Sequence, residues 1–74
     1  ENVAVAPAFQ GHGYGRRLMA HAEALARSLG RGEVRLYTNK MFEANVRLYL
    51  RLGYEVDRED AFSGGVVVHM SKAI

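Results

Sequence analysis

The chain has 74 residues with a formal net charge of +2, and 49% of its residues are hydrophobic, so it is neither disordered nor strongly charged. At roughly 100–200 residues for a typical domain, this length allows one small domain or part of one. The absence of Cys excludes disulfides and thiolate zinc sites, and no apolar run approaches the ~20 residues that a membrane helix needs.

The first predicted element is a short strand over residues 1–6, which ends at Pro7 because Pro cannot donate to a β-ladder. Glycine recurs in residues 10–15 and predicts a loop. Apolar residues then recur at helical spacing over residues 14–29, and Gly30 ends this helix. Its predicted apolar stripe consists of Leu18, Ala22, Leu25, Ala26 and Leu29. Charged residues, Glu23 among them, lie mostly off that stripe.

Polar and apolar residues alternate over residues 33–38 and predict a second strand. A second helix is expected over residues 43–52, with Gly53 as its stop. Its inward-facing residues are expected to be Leu48, Tyr49 and Leu52. Two more strands, at 54–58 and 66–70, flank a polar turn at 63–65, and the last strand is expected to be buried on both faces.

The predicted order of elements is β-α-β-α-β-β. This order indicates an α/β fold with a mixed sheet flanked by two helices. The first part of the sheet is expected to be parallel, and an antiparallel hairpin closes it. Because the sequence opens with Glu and is apolar at once, we expect a fragment of a domain.

The glycine loop stands between a strand and a helix N-terminus, a place suited to phosphate. Unpaired N–H groups and the helix dipole attract anions there, and glycine lets the backbone approach them. The loop lacks the Gly-Lys-Ser/Thr of a P-loop, and Arg16 replaces the third glycine of the dinucleotide motif. On the loop alone, a tight turn without a ligand stays an open alternative.

Two blocks of the sequence resemble the GNAT superfamily of N-acyltransferases. Residues 3–15 resemble its acyl-CoA motif, in which a hydrophobic strand and Pro precede Gln/Arg-x-x-Gly-x-Gly/Ala. Residues 36–39 with 45–54 resemble the next strand and helix, and residues 68–72 resemble the final strand. The resemblance covers the whole chain but only about the C-terminal half of the family's fold. It implies a partial GNAT-like fold, the acyl-CoA-binding half of one domain.

The resemblance also implies acetyl-CoA as co-substrate. The backbone of Val3, Ala4 and Val5 would pair with the pantetheine arm. The pyrophosphate would be held by Gln10, Gly11, His12, Gly13, Tyr14, Gly15 and Arg16. Asn45 would contact the cofactor, and Tyr49 would protonate the departing thiolate as general acid. The resemblance places the general base on or near the first strand, which this chain barely contains, and the acceptor-binding helices outside this chain. The base and the acceptor, a small-molecule or peptide amine, therefore stay unidentified.

Several of these residues have a structural alternative. The alternative for Tyr49 is an aromatic core residue whose buried hydroxyl is satisfied elsewhere, and the alternative for Asn45 is a solvated helix residue. Asn39 is expected to shape the turn after its strand, and His69 to face the substrate cleft. The His residues have no i,i+4 pair among them, so we expect no metal site.

Two other functions compete with acetyl transfer. A non-catalytic CoA-binding module would keep the glycine loop and lack the amine site. A small nucleic-acid-binding domain would use the Arg residues, but these are scattered, and we expect neither a nucleic-acid nor a membrane partner. An open edge at the first strand favours a homodimer or pairing with the missing N-terminal half. The cysteine-free composition fits a cytoplasmic protein.

Overall fold

A computed structural model describes residues 2–5 and 14–74 of the protein. This part of the chain forms two helices and four strands in the predicted order. Their bounds are β1 Asn2–Val5, α1 Tyr14–Ser28, β2 Glu33–Asn39, α2 Glu43–Arg51, β3 Glu55–Phe62 and β4 Gly65–Ala73.

The strands of the described residues form a mixed sheet in the order β1-β2-β4-β3. β1 runs parallel to β2, and β4 lies antiparallel between β2 and β3. The crossover through α1 accounts for the parallel pair, and the tight turn after β3 accounts for the antiparallel hairpin. The predicted α/β class and the mixed sheet are confirmed. β1 lies at an edge of the described sheet, and the homodimer stays a prediction.

The closing hairpin is longer than the predicted strands at 54–58 and 66–70. β3 is exposed along its whole length and mostly charged, so its sequence lacks the alternation that reveals a half-buried strand. Its backbone still pairs with β4, with an irregularity between Val56 and Arg58. Charged side chains on such an edge strand oppose pairing with another chain.

The helices cover one face of the sheet. The core between them consists of Met19, Ala22, Ala26, Val34, Leu36, Tyr49, Tyr54, Val68 and Met70. β4 alternates accordingly, with Val68 and Met70 buried and His69 only partly buried. The expectation that this strand is buried on both faces was therefore wrong, because the second face is open in the described part of the chain.

The apolar stripe of α1 is rotated from its predicted position. Leu25 and Leu29, which were expected to face the core, are 47% and 56% exposed. Met19 is fully buried instead and joins Ala22 and Ala26 at helical spacing. Helical periodicity located the helix correctly, but packing against the sheet selected a neighbouring stripe.

The C-terminus of α2 fixes the chain direction between helix and sheet. Tyr54 N–H donates to the Tyr49 carbonyl at 2.9 Å, and Gly53 N–H donates to the Leu50 carbonyl at 3.1 Å. This pair of bonds is a Schellman motif, and Gly53 supplies the positive φ of 99° that it requires. The motif carries the chain directly from the buried Tyr49 to the buried Tyr54.

Candidate active site

Several of the predicted cofactor residues lie on β1 or in the first turn of α1. Val3, Ala4 and Val5 belong to β1, and α1 begins at Tyr14. Gly15 is buried in the first turn of α1, while Arg16 and Arg17 are exposed. That turn contains no acidic residue, so the helix dipole and the arginines together make its surroundings positive. The remaining predicted loop residues, Gln10, Gly11, His12 and Gly13, lie outside the described residues.

Within the described residues, β1 pairs with the first part of β2, from Glu33 to Leu36. β2 itself extends to Asn39. The Asn39 side-chain oxygen accepts a hydrogen bond from Met41 N–H at 2.9 Å, which agrees with the predicted role of Asn39 in the following turn. The last residues of β2 pair with β4.

Asn45 and Tyr49 lie on one buried face of α2. Their exposed fractions are 7% and 0%, so Asn45 is not the solvated helix residue considered as its alternative. The Tyr49 ring belongs to the core and meets the Tyr54 ring edge-on, with centroids 6.2 Å apart. Packing of this ring holds the side chain in one place, which a positioned proton donor also needs. The core role and the predicted catalytic role of Tyr49 are therefore compatible.

Near this pair lies the buried carboxylate of Glu23, whose role was not predicted from the sequence. The Tyr54 hydroxyl donates to Glu23 Oε2 at 2.7 Å, and Lys72 Nζ donates to the same carboxylate at 3.2 Å and 3.3 Å. Arg27 lies 3.8 Å away, one helical turn further on. The spacing in the sequence could have indicated its burial, because Glu23 follows Met19 by four residues and so lies on the helix face that packs on the sheet. The carboxylate links α1, the turn after α2, and β4.

This network makes stability depend on pH at the alkaline end. Burial, and next the hydrogen bond to Glu23, raise the pKa of the Tyr54 hydroxyl above its usual value of 10.0. The folded protein thus holds this proton more tightly than the unfolded chain. The stabilisation is present in full below about pH 10 and declines as the pH rises above it.

We therefore expect the Tyr54 hydroxyl to lower the free energy of unfolding by up to about 1.4 kcal/mol per pH unit above pH ~10. Urea unfolding across that range, with the wild type beside Tyr54→Phe, isolates this contribution. The wild type should lose stability more steeply than the variant. Equal slopes would contradict the assignment.

The open face of the sheet carries a second group of polar and aromatic side chains. A groove of about 300 Å³ is lined by Tyr37, Asp60, Phe62, Val67 and His69. His69 Nε2 lies 3.0 Å from Asp60 Oδ2, and Arg58 Nε donates to the same oxygen at 3.0 Å. The Arg58 hydrogen bond holds the pKa of the Asp60 carboxyl below its usual range. His69 was expected to face a cleft, and it lines this groove.

Neither a metal cluster nor a membrane span is found in the part of the chain that the structure describes. Residues 2–5 and 14–74 contain no group of three or more His, Asp or Glu side chains that could hold a metal ion. Nor does any helix within those ranges have the length and apolar character needed to cross a membrane.

Comparisons with known proteins identify the family and the fold of this chain. A family model described as an acetyltransferase (GNAT) domain matches residues 1–56. A crystal structure of nourseothricin acetyltransferase superposes with a TM-score of 0.81 at 26% sequence identity. The match covers 97% of this chain and 49% of that one, so the chain spans about half the length of this relative. No curated protein matches the chain.

Proposed function

This chain belongs to the GNAT family of acetyltransferases, and we propose that the protein transfers an acetyl group from acetyl-CoA to a primary amine of its acceptor. The observation that supports this proposal is the burial of two residues of α2 within the family match. That match extends over the glycine loop, residues 10–15, and over α2. In the structure, the motif residues Asn45 and Tyr49 are both withdrawn from solvent on the same face of α2. Both side chains are therefore fixed in position between α2 and the sheet.

The residues around α1 fit the polyanionic part of acetyl-CoA. The first turn of α1 combines the buried Gly15 with the exposed Arg16 and lacks acidic side chains. Backbone N–H groups at a helix N-terminus and an adjacent guanidinium both favour a pyrophosphate. We assign the pyrophosphate to residues 10–16 and the pantetheine arm to the backbone of Val3, Ala4 and Val5.

Tyr49 is assigned the role of general acid. As the amine nitrogen forms its bond to the thioester carbonyl carbon, the carbon–sulfur bond breaks and the thiolate takes the Tyr49 hydroxyl proton. The surplus proton of the amine passes to a base that we do not place on this chain. A thiol with a pKa near 8.5 is a modest leaving group, and a positioned acid contributes about 10²–10⁴-fold in rate. Asn45, one helical turn before Tyr49, is assigned to cofactor contact.

An amine-dependent release of CoA tests the proposal. The full-length protein is incubated with acetyl-CoA and a panel of alkyl, aryl and polyamine primary amines, and the free CoA thiol is titrated with a thiol reagent. Reactions without an amine give the thiol background of the protein, to which this chain adds nothing because it contains no Cys. We expect CoA release that requires an amine, with the acetyl group recovered on that amine by mass spectrometry. Saturable acetyl-CoA binding without such release from any amine would identify a non-catalytic CoA-binding module instead.

A further inference from the structure

We propose that the groove on the open sheet face, lined by Tyr37, Asp60, Phe62, Val67 and His69, binds the ammonium group of the acceptor, with Asp60 as its anionic anchor. This proposal rests on the proposed transfer to an amine and adds the site that receives the amine. The groove lies on the face of the sheet away from the helices. It therefore uses none of the residues assigned above to acetyl-CoA.

Strand register brings these residues together from distant parts of the sequence. His69 on β4 pairs with Tyr37 on one side and with Arg58 on the other. Two residues before His69 on β4, Val67 pairs with Asp60. Directly paired residues of antiparallel strands project to the same face, so three strands contribute side chains to one surface. The Tyr37 and His69 rings accordingly lie 6.2 Å apart.

Asp60 retains an oxygen for a further donor. Its contacts with Arg58 Nε and His69 Nε2 both involve Oδ2. Among the described residues no hydrogen bond or ion pair involves Oδ1. An ammonium group can therefore donate to Oδ1 without displacing either existing partner. Such charge-assisted bonds are roughly twice as strong as bonds between neutral groups.

The walls and the surrounding charge suit a cation that carries an apolar body. Tyr37 and Phe62 are each 49% exposed, although both are large aromatic side chains. Aromatic faces attract ammonium groups and also cover apolar carbon. β3 contributes Glu55, Asp57 and Asp60 against the single cation Arg58, whereas Glu59 pairs with the buried Val68 and so projects to the other face. The excess of carboxylates along β3 favours a positively charged ligand.

The groove also adjoins the strand that pairs with β1. Tyr37 directly follows Leu36, which pairs with Val5 of β1. The pantetheine arm is assigned to the backbone of β1, so a ligand in the groove would lie beside the strand next to that arm.

Direct binding of a simple amine tests the groove separately from catalysis. We would titrate the full-length protein, without acetyl-CoA, with 2-phenylethylamine and with its uncharged analogue 2-phenylethanol, and record NMR spectra. The amine should shift the resonances of Tyr37, Phe62 and His69, and the alcohol should bind more weakly. Asp60→Asn should weaken amine binding roughly tenfold or more. The matched control Glu55→Gln removes the same charge from β3 outside the groove and should change the affinity by less than about twofold.

The outcomes separate this proposal from the proposed function. Equal amine affinity in Asp60→Asn and wild type, shifts confined to other surfaces, or no binding would overturn the groove assignment even if the protein transfers acetyl groups. Groove binding that depends on Asp60, in a protein that releases no CoA with any amine, would support the groove and reject the transfer. Asp60 is an exposed edge residue, so its substitution should leave the dispersion of the NMR spectrum unchanged.

Discussion

Replacing Tyr49 with Phe should reduce the turnover number about 10²–10⁴-fold while leaving the affinity for acetyl-CoA unchanged. The substitution deletes the hydroxyl proposed to protonate the departing thiolate and keeps the ring. Because the ring is fully buried in the core, its packing against Tyr54 should persist, and the protein should fold. Steady-state kinetics with an amine acceptor and calorimetric binding of acetyl-CoA would measure the two effects separately.

Tyr54→Phe is the matched control for this experiment. It also deletes one tyrosine hydroxyl from the same core, but that hydroxyl donates to Glu23. We expect it to reduce stability and to leave turnover within a few-fold of wild type at a temperature where both are folded. A Tyr49→Phe enzyme with normal turnover, or one whose loss is matched by Tyr54→Phe, would reject Tyr49 as the acid.

Glu23→Ala should lower the free energy of unfolding by about 2–4 kcal/mol. The Glu23 side chain is only 12% exposed, and its carboxylate serves both the Tyr54 hydroxyl and Lys72. Truncation leaves a buried hydroxyl and a partly buried ammonium without their shared acceptor. Urea unfolding followed by circular dichroism would measure the change, and Glu23→Gln, which keeps an acceptor for Tyr54, should cost less.

Glu43→Ala provides the contrast for a solvent-exposed carboxylate. Glu43 also lies one helical turn before an arginine, 3.7 Å from Arg47, but its side chain is 80% exposed. Its removal should cost about 0.5 kcal/mol or less, because surface ion pairs contribute little. Similar losses for Glu23→Ala and Glu43→Ala would mean that the buried network adds no stability.

The order of elements could be predicted because each helix and most strands have a clear periodicity. The alternation in β2 and the glycines after α1 and α2 gave close bounds for these elements. β3 was underestimated because an exposed, charged edge strand has no apolar alternation. The rotation of α1 was also missed, since Leu25 and Met19 are both apolar and only tertiary packing distinguishes them.

The candidate site was predictable only where it is local in sequence. Asn45 and Tyr49 are four residues apart on one helix, so spacing alone places them on one face. Glu23, Tyr54 and Lys72 meet through the packing of three elements, and no short motif encodes that contact. The groove depends in the same way on the register of β2, β3 and β4, which brings Tyr37, Asp60 and His69 together.

Thermal unfolding of the full-length protein with and without acetyl-CoA tests the central claim most directly. A ligand that binds only the folded state stabilises it by about 2.7 kcal/mol at a hundredfold excess over Kd. Our account predicts a cooperative transition whose midpoint rises with the concentration of acetyl-CoA and falls back when Arg16 is replaced by Glu. A cooperative transition that acetyl-CoA does not move would contradict the assignment of this chain as the acyl-CoA-binding part of an acetyltransferase.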